Sequence, residues 1–236
     1  MPAFEHAVSL GVDAIELDVR FSRDREPVVI HDDRLDRTTN AKGPVSHLSA
    51  AELRCVDAGC RFDPGLGFPM RDLGIGVVTL AEVLARFPDL PFIVEIKGDS
   101  EELARRTVGV IDEARAGGRV VIGGFNPVSM RAARRAGPTL TTSACTPEVR
   151  SALYRSFVRM RPKPTGYRLF QVPEIRGGTR VVSPRFVRAA VRAGVPVQVW
   201  TVNEADDMRR LVAWGVRAII SDRPDTAVAV VRGLSG

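Results

Sequence analysis

Short runs of β-branched and aliphatic residues recur along the chain, each followed by a longer stretch with apolar positions at helical spacing. Read for alternation or for an unbroken apolar run, the strand candidates are 14–19, 92–96, 119–123, 139–143, 168–172, 195–202 and 218–221. Read for a period of 3.6, the helices between them are 100–116, 127–136, 147–160, 184–193, 204–214 and 224–231, and a further helical pattern at 2–10 opens the chain. Several of these helices begin at Pro or Ser, which suits a first turn, and Gly11, Gly117, Gly137, Gly194 and Gly215 follow helix ends, where glycine is favoured.

Strands that alternate with helices demand a parallel sheet, because parallel neighbours need a long crossover. No dinucleotide-type glycine fingerprint is present, so a barrel is favoured over a doubly wound sheet. The predicted fold is an α/β TIM (β/α)8 barrel spanning 1–236 as one domain, with seven of its eight strands visible and the first expected ahead of the 2–10 helix. One segment breaks the rhythm. Residues 32–91 are rich in Asp, Arg, Gly and Pro, with short helical pieces at 49–54 and 79–87, and predict an insertion subdomain over the barrel mouth.

Composition changes this picture little. A hydrophobic content of 44% is ample for one core. No apolar run approaches the roughly 18 residues of a membrane span, so stable membrane insertion is not expected. The first residues lack a basic patch followed by an apolar stretch, which predicts a cytoplasmic protein. Net charge is +6, with only three lysines, Lys42, Lys97 and Lys163. The arginines alternate with acids, as over 20–26, which argues against a nucleic-acid partner and reads as coding bias with a mild attraction to anions. Cys55, Cys60 and Cys145 fit neither a disulfide framework nor a zinc pattern.

The candidate chemistry lies where charge interrupts apolar strands. In Ile15-Glu16-Leu17-Asp18-Val19 the two carboxylates share one strand face and the aliphatic residues the other. Glu95 and Lys97 share a face at the end of the next strand of this kind. Burying carboxylates together is costly without a cation. Barrel enzymes place their chemistry at strand ends, and three carboxylates make a hard-oxygen site suited to Mg²⁺ or Ca²⁺. The alternative is an internal salt bridge of Lys97 with one carboxylate. His31 ends the apolar run 28–30, as a structural residue or a catalytic one, and Trp200 near a later strand end is either a core aromatic or an apolar wall for substrate. His6 and His47 read as structural.

Taken in order, Ile15-Glu16-Leu17-Asp18-Val19, Val28-Val29-Ile30-His31-Asp32, Leu35-Asp36-Arg37-Thr38-Thr39-Asn40, Thr79-Leu80-Ala81-Glu82, Val94-Glu95-Ile96-Lys97, Gln171-Val172-Pro173-Glu174, Val199-Trp200-Thr201-Val202-Asn203 and Ser221-Asp222-Arg223-Pro224-Asp225 resemble the glycerophosphodiester phosphodiesterase family. The resemblance implies metal-dependent hydrolysis of a small-molecule glycerophosphodiester to glycerol 3-phosphate and an alcohol. It makes Glu16, Asp18 and Glu95 ligands of a divalent metal, Mg²⁺ or Ca²⁺. His31 becomes one of two catalytic histidines, Lys97 a phosphate-facing cation and Trp200 a wall of the glycerol pocket. Rival readings are a lysophospholipase D or sphingomyelinase-like phosphodiesterase, and a non-catalytic phosphodiester-binding barrel.

This sequence departs from the family's pattern mildly at Ser221, where Thr is frequent, and at Val191, where His can stand, and more seriously at its start. Family members open on a strand ending in His-Arg-Gly, followed by Pro-Glu-Asn-Thr, and neither segment is present. The expectation is a start assigned too late, at an internal methionine, with a true truncation as its rival. Either way the 236-residue chain is expected to have two unpaired sheet edges, poor solubility and little activity.

Overall fold

A computed structural model describes residues 1–234. In chain order the elements are α1 (Pro2–Ser9), β1 (Ile15–Phe21), β2 (Pro27–Val29), α2 (Ala50–Arg54), α3 (Leu80–Arg86), β3 (Phe92–Ile96), α4 (Glu101–Glu113), β4 (Val120–Gly123), α5 (Pro127–Ala136), β5 (Thr141–Thr142) and α6 (Thr146–Phe157). There follow β6 (Phe170–Pro173), β7 (Ile175–Arg176), β8 (Thr179–Arg180), α7 (Pro184–Arg192), β9 (Val197–Trp200), α8 (Ala205–Ala213), β10 (Ala218–Ile219) and α9 (Pro224–Leu234). Each strand predicted from the apolar pattern is found: 92–96 at its expected bounds, 14–19 shifted to Ile15–Phe21, and the others shorter, with 195–202 and 139–143 reduced by half or more.

The strands pair in two parallel arcs. One has the order β1-β3-β4-β5, with the short β2 antiparallel on β1 through Val19↔Val29 to Phe21↔Pro27. The other has the order β10-β9-β6. A single parallel bridge, Ser143↔Leu169, joins the arcs on one side. On the other side, among the described residues, β1 and β10 do not pair, and a cavity of about 1080 Å³ opens between them, lined by α1, the start of β1, β10 and α9.

Each arc carries its own apolar core. Ile15, Leu17, Val19, Val94, Ile96 and Ile122 pack outward against α3, α4 and α5. Phe170, Val172, Val197 and Val199 pack against Phe186 and Val187 of α7 and Met208 and Leu211 of α8. Residues 31–79 build a third, small core from Leu35, Val45, Leu53 and Val77 under Val28. Local chemistry fixes the helix starts. Ser49 with Glu52 and Thr79 with Glu82 form reciprocal capping boxes, and Asn126 and Ser183 cap α5 and α7 with side-chain oxygens.

The β7–β8 hairpin has no counterpart among the elements predicted from sequence. Its two-residue loop is Gly177-Gly178, with φ of 54° and 76°. Both residues occupy the left-handed region that such a loop demands and that glycine enters without strain.

Candidate active site

Strand register brings the acids together. Asp18 on β1 lies directly beside Glu95 on β3, and Glu16 is two residues earlier on the same face of β1. Their neighbours Ile15, Leu17, Val19, Val94 and Ile96 point the other way into the helix-facing core, so alternation forces the three carboxylates toward the barrel interior. Oxygens of Glu16, Asp18 and Glu95 all lie within 4.8 Å of one another.

Lys97, one residue past the end of β3, reaches back into this cluster. Its Nζ stands 2.9 Å from Asp18 Oδ1 and 2.5 Å from Glu95 Oε1, and all three side chains are only 14–15% exposed. The salt bridge anticipated with one carboxylate is therefore made with two. Glu95 Oε1 is buried and has the Lys97 ammonium as its close partner.

Three carboxylates against one ammonium leave the cluster short of positive charge, and titration reflects this. Burial pushes the Glu16 carboxyl up to about 8; Asp18, Glu95 and Asp222 add to the rise and Lys97 opposes it. Burial also raises Glu95, against the pull of Lys97. Burial works to lower Lys97, but pairing with Glu95 and Asp18 outweighs it and its ammonium is held above the ordinary lysine value. An all-oxygen cluster of three carboxylates against one ammonium fits a hard divalent cation.

His31 follows β2, where Ile30 N donates to the Asp18 carbonyl at 3.0 Å, so the histidine emerges beside the acids, close enough for its charge to act on Glu95. Its Nδ1 is 2.7 Å from Asp32 Oδ1. Asp32 is in turn gripped by Arg37 through two bonds of 2.6 and 3.0 Å, which hold its carboxyl well below the usual range. Arg20 fixes the backbone by donating to the His31 carbonyl at 2.8 Å.

Trp200 ends β9, and its ring centre is 5.5 Å from that of Phe125, in the loop after β4. The Phe125 ring links the aromatic wall to the charged cluster, with Lys97 Nζ 5.9 Å from its centre and the Arg176 guanidinium 5.3 Å from it. Asp222, held by Asn203 through its backbone N at 3.0 Å and its Oδ2 at 3.3 Å, is near enough to Glu16 to raise it.

Sequence reasoning singled out Glu16, Asp18, Glu95, Lys97, His31 and Trp200; the fold places Glu16 and Asp18 within β1, Glu95 and Trp200 at the ends of β3 and β9, and Lys97 and His31 just past β3 and β2. It gave no role to Phe125, Arg176, Asp32, Arg37 or Asp222. The Gly177-Gly178 turn signal was the clue to Arg176; nothing local marks Phe125, which reaches the site through packing of separate strands.

The profile of the Glycerophosphoryl diester phosphodiesterase family matches residues 1–226. A glycerophosphodiester phosphodiesterase of Caldanaerobacter subterraneus subsp. tengcongensis is 31% identical over 98% of this chain and 90% of its own length. A probable glycerophosphodiester phosphodiesterase 2 of Mycobacterium tuberculosis is 33% identical over 99% of this chain and 85% of its own. Among solved structures, the glycerophosphoryl diester phosphodiesterase domain of an uncharacterized Mycobacterium tuberculosis protein superposes with a TM-score of 0.83 at 22% identity, over 96% of this chain and 91% of that one, so the arcs described above are those of a TIM barrel. Agreement of the whole-chain match with strand ends that converge on one acidic, lysine-bearing mouth shows that this chain belongs to the glycerophosphoryl diester phosphodiesterase family, whose enzymes hydrolyse glycerophosphodiesters.

Proposed function

We propose that the cluster at the barrel mouth carries out divalent-cation-dependent hydrolysis of a glycerophosphodiester to glycerol 3-phosphate and an alcohol. The observation that carries this reading is the convergence of Glu16, Asp18 and Glu95 within 4.8 Å, beside one lysine. These three residues would hold the cation, Mg²⁺ or Ca²⁺, which when bound supplies Lewis-acid polarisation of a phosphoryl oxygen. Two positive charges added to three carboxylates and one ammonium bring the site to neutrality.

The protein's own groups do the rest. Lys97 offsets the anionic charge of the phosphodiester. Trp200 and Phe125 form an apolar wall against the glycerol carbons, and Arg176 above Phe125 adds a second cation at its rim. A water attacks phosphorus, the P–O bond to the departing alcohol breaks, and His31 gives a proton to that oxygen. Imidazole suits the task because its ordinary titration lies near neutral pH. Asp32, braced by Arg37, engages Nδ1 and leaves Nε2 for the transfer. A second base at the mouth is missing from the three histidines of the chain, since His6 sits on α1 and His47 in the 3-10 turn Val45–His47. The proton of the attacking water then passes to solvent or to a carboxylate of the mouth, where Glu16 is raised to about 8.

Glycerol 3-phosphate release from glycerophosphocholine, measured with added Mg²⁺ or Ca²⁺ and again with EDTA, tests the reading. Release that EDTA abolishes and that His31→Asn removes is the expected result. Release indifferent to EDTA, or retained in His31→Asn, would refute it.

A further inference from the structure

Positive charge is distributed very unevenly along this chain. Residues 149–203 carry eleven Arg or Lys against one acid, Glu174, whereas the rest of the chain carries 23 against 27. Elsewhere arginines are paired, for example Arg23 with Glu52, Arg25 with Glu102 and Arg106 with Glu26 and Glu113. In the basic segment, Arg159, Arg161, Arg185, Arg188 and Arg192 are exposed, and among the described residues none has a carboxylate partner.

These five arginines come together in space. Arg185, Arg188 and Arg192 recur at three- and four-residue intervals on α7, whose opposite face buries Phe186, Val187 and Ala190. Arg159 and Arg161 follow the end of α6, and all five line one shallow hollow of about 550 Å³. Large apolar side chains stand exposed on the same elements: Tyr154 is 63% exposed, Phe157 52%, Val158 66%, Met160 47% and Val191 56%.

We propose that this α6–α7 face docks onto the surface of an anionic lipid bilayer. Unpaired arginines suit a layer of anionic headgroups, and the apolar side chains beside them suit the acyl boundary just beneath. A nucleic-acid backbone would answer the charge but leave Val158, Met160 and Val191 in water. A second copy of the chain would bring the same arginines against one another without acids to receive them. No helix of the described residues is long and apolar enough to cross a membrane, so the contact is interfacial. Helices of the barrel run opposite to its strands, so the C-terminal ends of α6 and α7, with Arg159, Arg161 and Arg192, lie at the end of the barrel away from Glu16 and Lys97, and only Arg185 stands in the first turn of α7. The docked protein keeps its mouth open to water, and docking is separable from turnover.

Co-sedimentation with vesicles of phosphatidylcholine alone, or of phosphatidylcholine mixed with phosphatidylglycerol, tests the proposal. The protein should pellet with the mixed vesicles only, and should be released as salt is raised. Each cation at such a surface is worth about five-fold in partitioning, so Arg185→Glu/Arg188→Glu/Arg192→Glu should weaken binding at least about 100-fold. Phe157→Ser/Val158→Ser should weaken it while leaving the salt dependence in place. Circular dichroism and unchanged glycerol 3-phosphate release verify that each variant is folded. If the triple variant does not fold, Arg188→Ala and Arg192→Ala are compared singly, each expected to weaken binding about five-fold. Equal binding to both vesicle types, binding unmoved by the arginine changes, tighter binding to a DNA duplex than to mixed vesicles, or a dimer closed by this face would each overturn it.

Discussion

Replacing Lys97 by methionine removes the only ammonium among three clustered carboxylates and keeps most of the side-chain volume. Two ion pairs are lost, at 2.9 Å to Asp18 and 2.5 Å to Glu95, among side chains 14–15% exposed. Taking one partner from a buried pair costs about 3–5 kcal/mol. Glu16, pushed up to about 8, is already protonated over much of the neutral range and sheds one of the three charges, so the lower end, about 3 kcal/mol, applies. For a chain of this size that is a fall in Tm of about 6–12 °C. The response to metal should run the other way. The lysine competes with a divalent ion for the same oxygens, so Lys97→Met should bind Mg²⁺ or Ca²⁺ more tightly than the parent and regain much of its stability, while kcat falls because the phosphate loses its countercharge. Thermal melts in EDTA and across a cation titration, with calorimetry for affinity, separate these effects. An unchanged Tm in EDTA, or metal affinity that drops together with stability, would refute the account of Lys97 as the cluster's built-in countercharge.

Other outcomes follow from single contacts. Arg134 grips Glu148 with two bonds of 2.7 and 2.9 Å, and both side chains are under 20% exposed, so Arg134→Met should cost about 3 kcal/mol in urea unfolding at pH 7. Burial tends to raise Glu148, but Arg134 and the Cys145 backbone N–H outweigh it and depress its pKa. The stabilisation is then present above the unfolded value of about 4.3 and is lost as pH falls through the lower folded value, so parent and variant should converge in acid. Gly76→Ala should destabilise by about 2 kcal/mol, because its Cβ would sit 1.9 Å from the Arg54 carbonyl oxygen, whereas Gly118→Ala, with nothing within 4 Å, should stay within about 0.5 kcal/mol; denaturant midpoints decide both. Trp200→Ala should raise KM for glycerophosphocholine about ten-fold through loss of the ring wall, with a smaller change in kcat, as steady-state kinetics would show.

What could be read from the sequence was whatever local order encodes. The period of two in 15–19 put Glu16 and Asp18 on one face, and the apolar run into Glu95 and Lys97 gave the matching strand. Both elements appear at close to the expected bounds, with their acids in register. Helix ends were legible because Gly, Pro and capping side chains act on their own turn. The β7–β8 hairpin was hidden because its strands are two residues long, too short for any alternation. Asp32 and Arg37 stand in plain view after His31, yet their bidentate pairing depends on how the chain turns between them. Phe125 and Asp222 reach the mouth only because strands distant in sequence end at the same level, a fact of the assembled sheet that no window of residues contains.

The split of the wall into two arcs has a consequence for how ligands act on the whole molecule. Glu16, Asp18, Glu95 and Lys97 all belong to the arc of β1 and β3, while Trp200 belongs to the arc of β9, and among the described residues the backbone joins the two through one β-bridge, Ser143↔Leu169, with the Phe125–Trp200 ring contact beside it. A cation held by the three carboxylates therefore ties β1 to β3 directly, within one half. A ligand that rests its phosphate on Lys97 and its carbon skeleton on Trp200 fastens both halves together, acting as a removable staple. Cohesion of the two halves and occupancy of the mouth become a linked pair: glycerol 3-phosphate should slow amide exchange in β9 and β10, where the cation by itself leaves it unchanged.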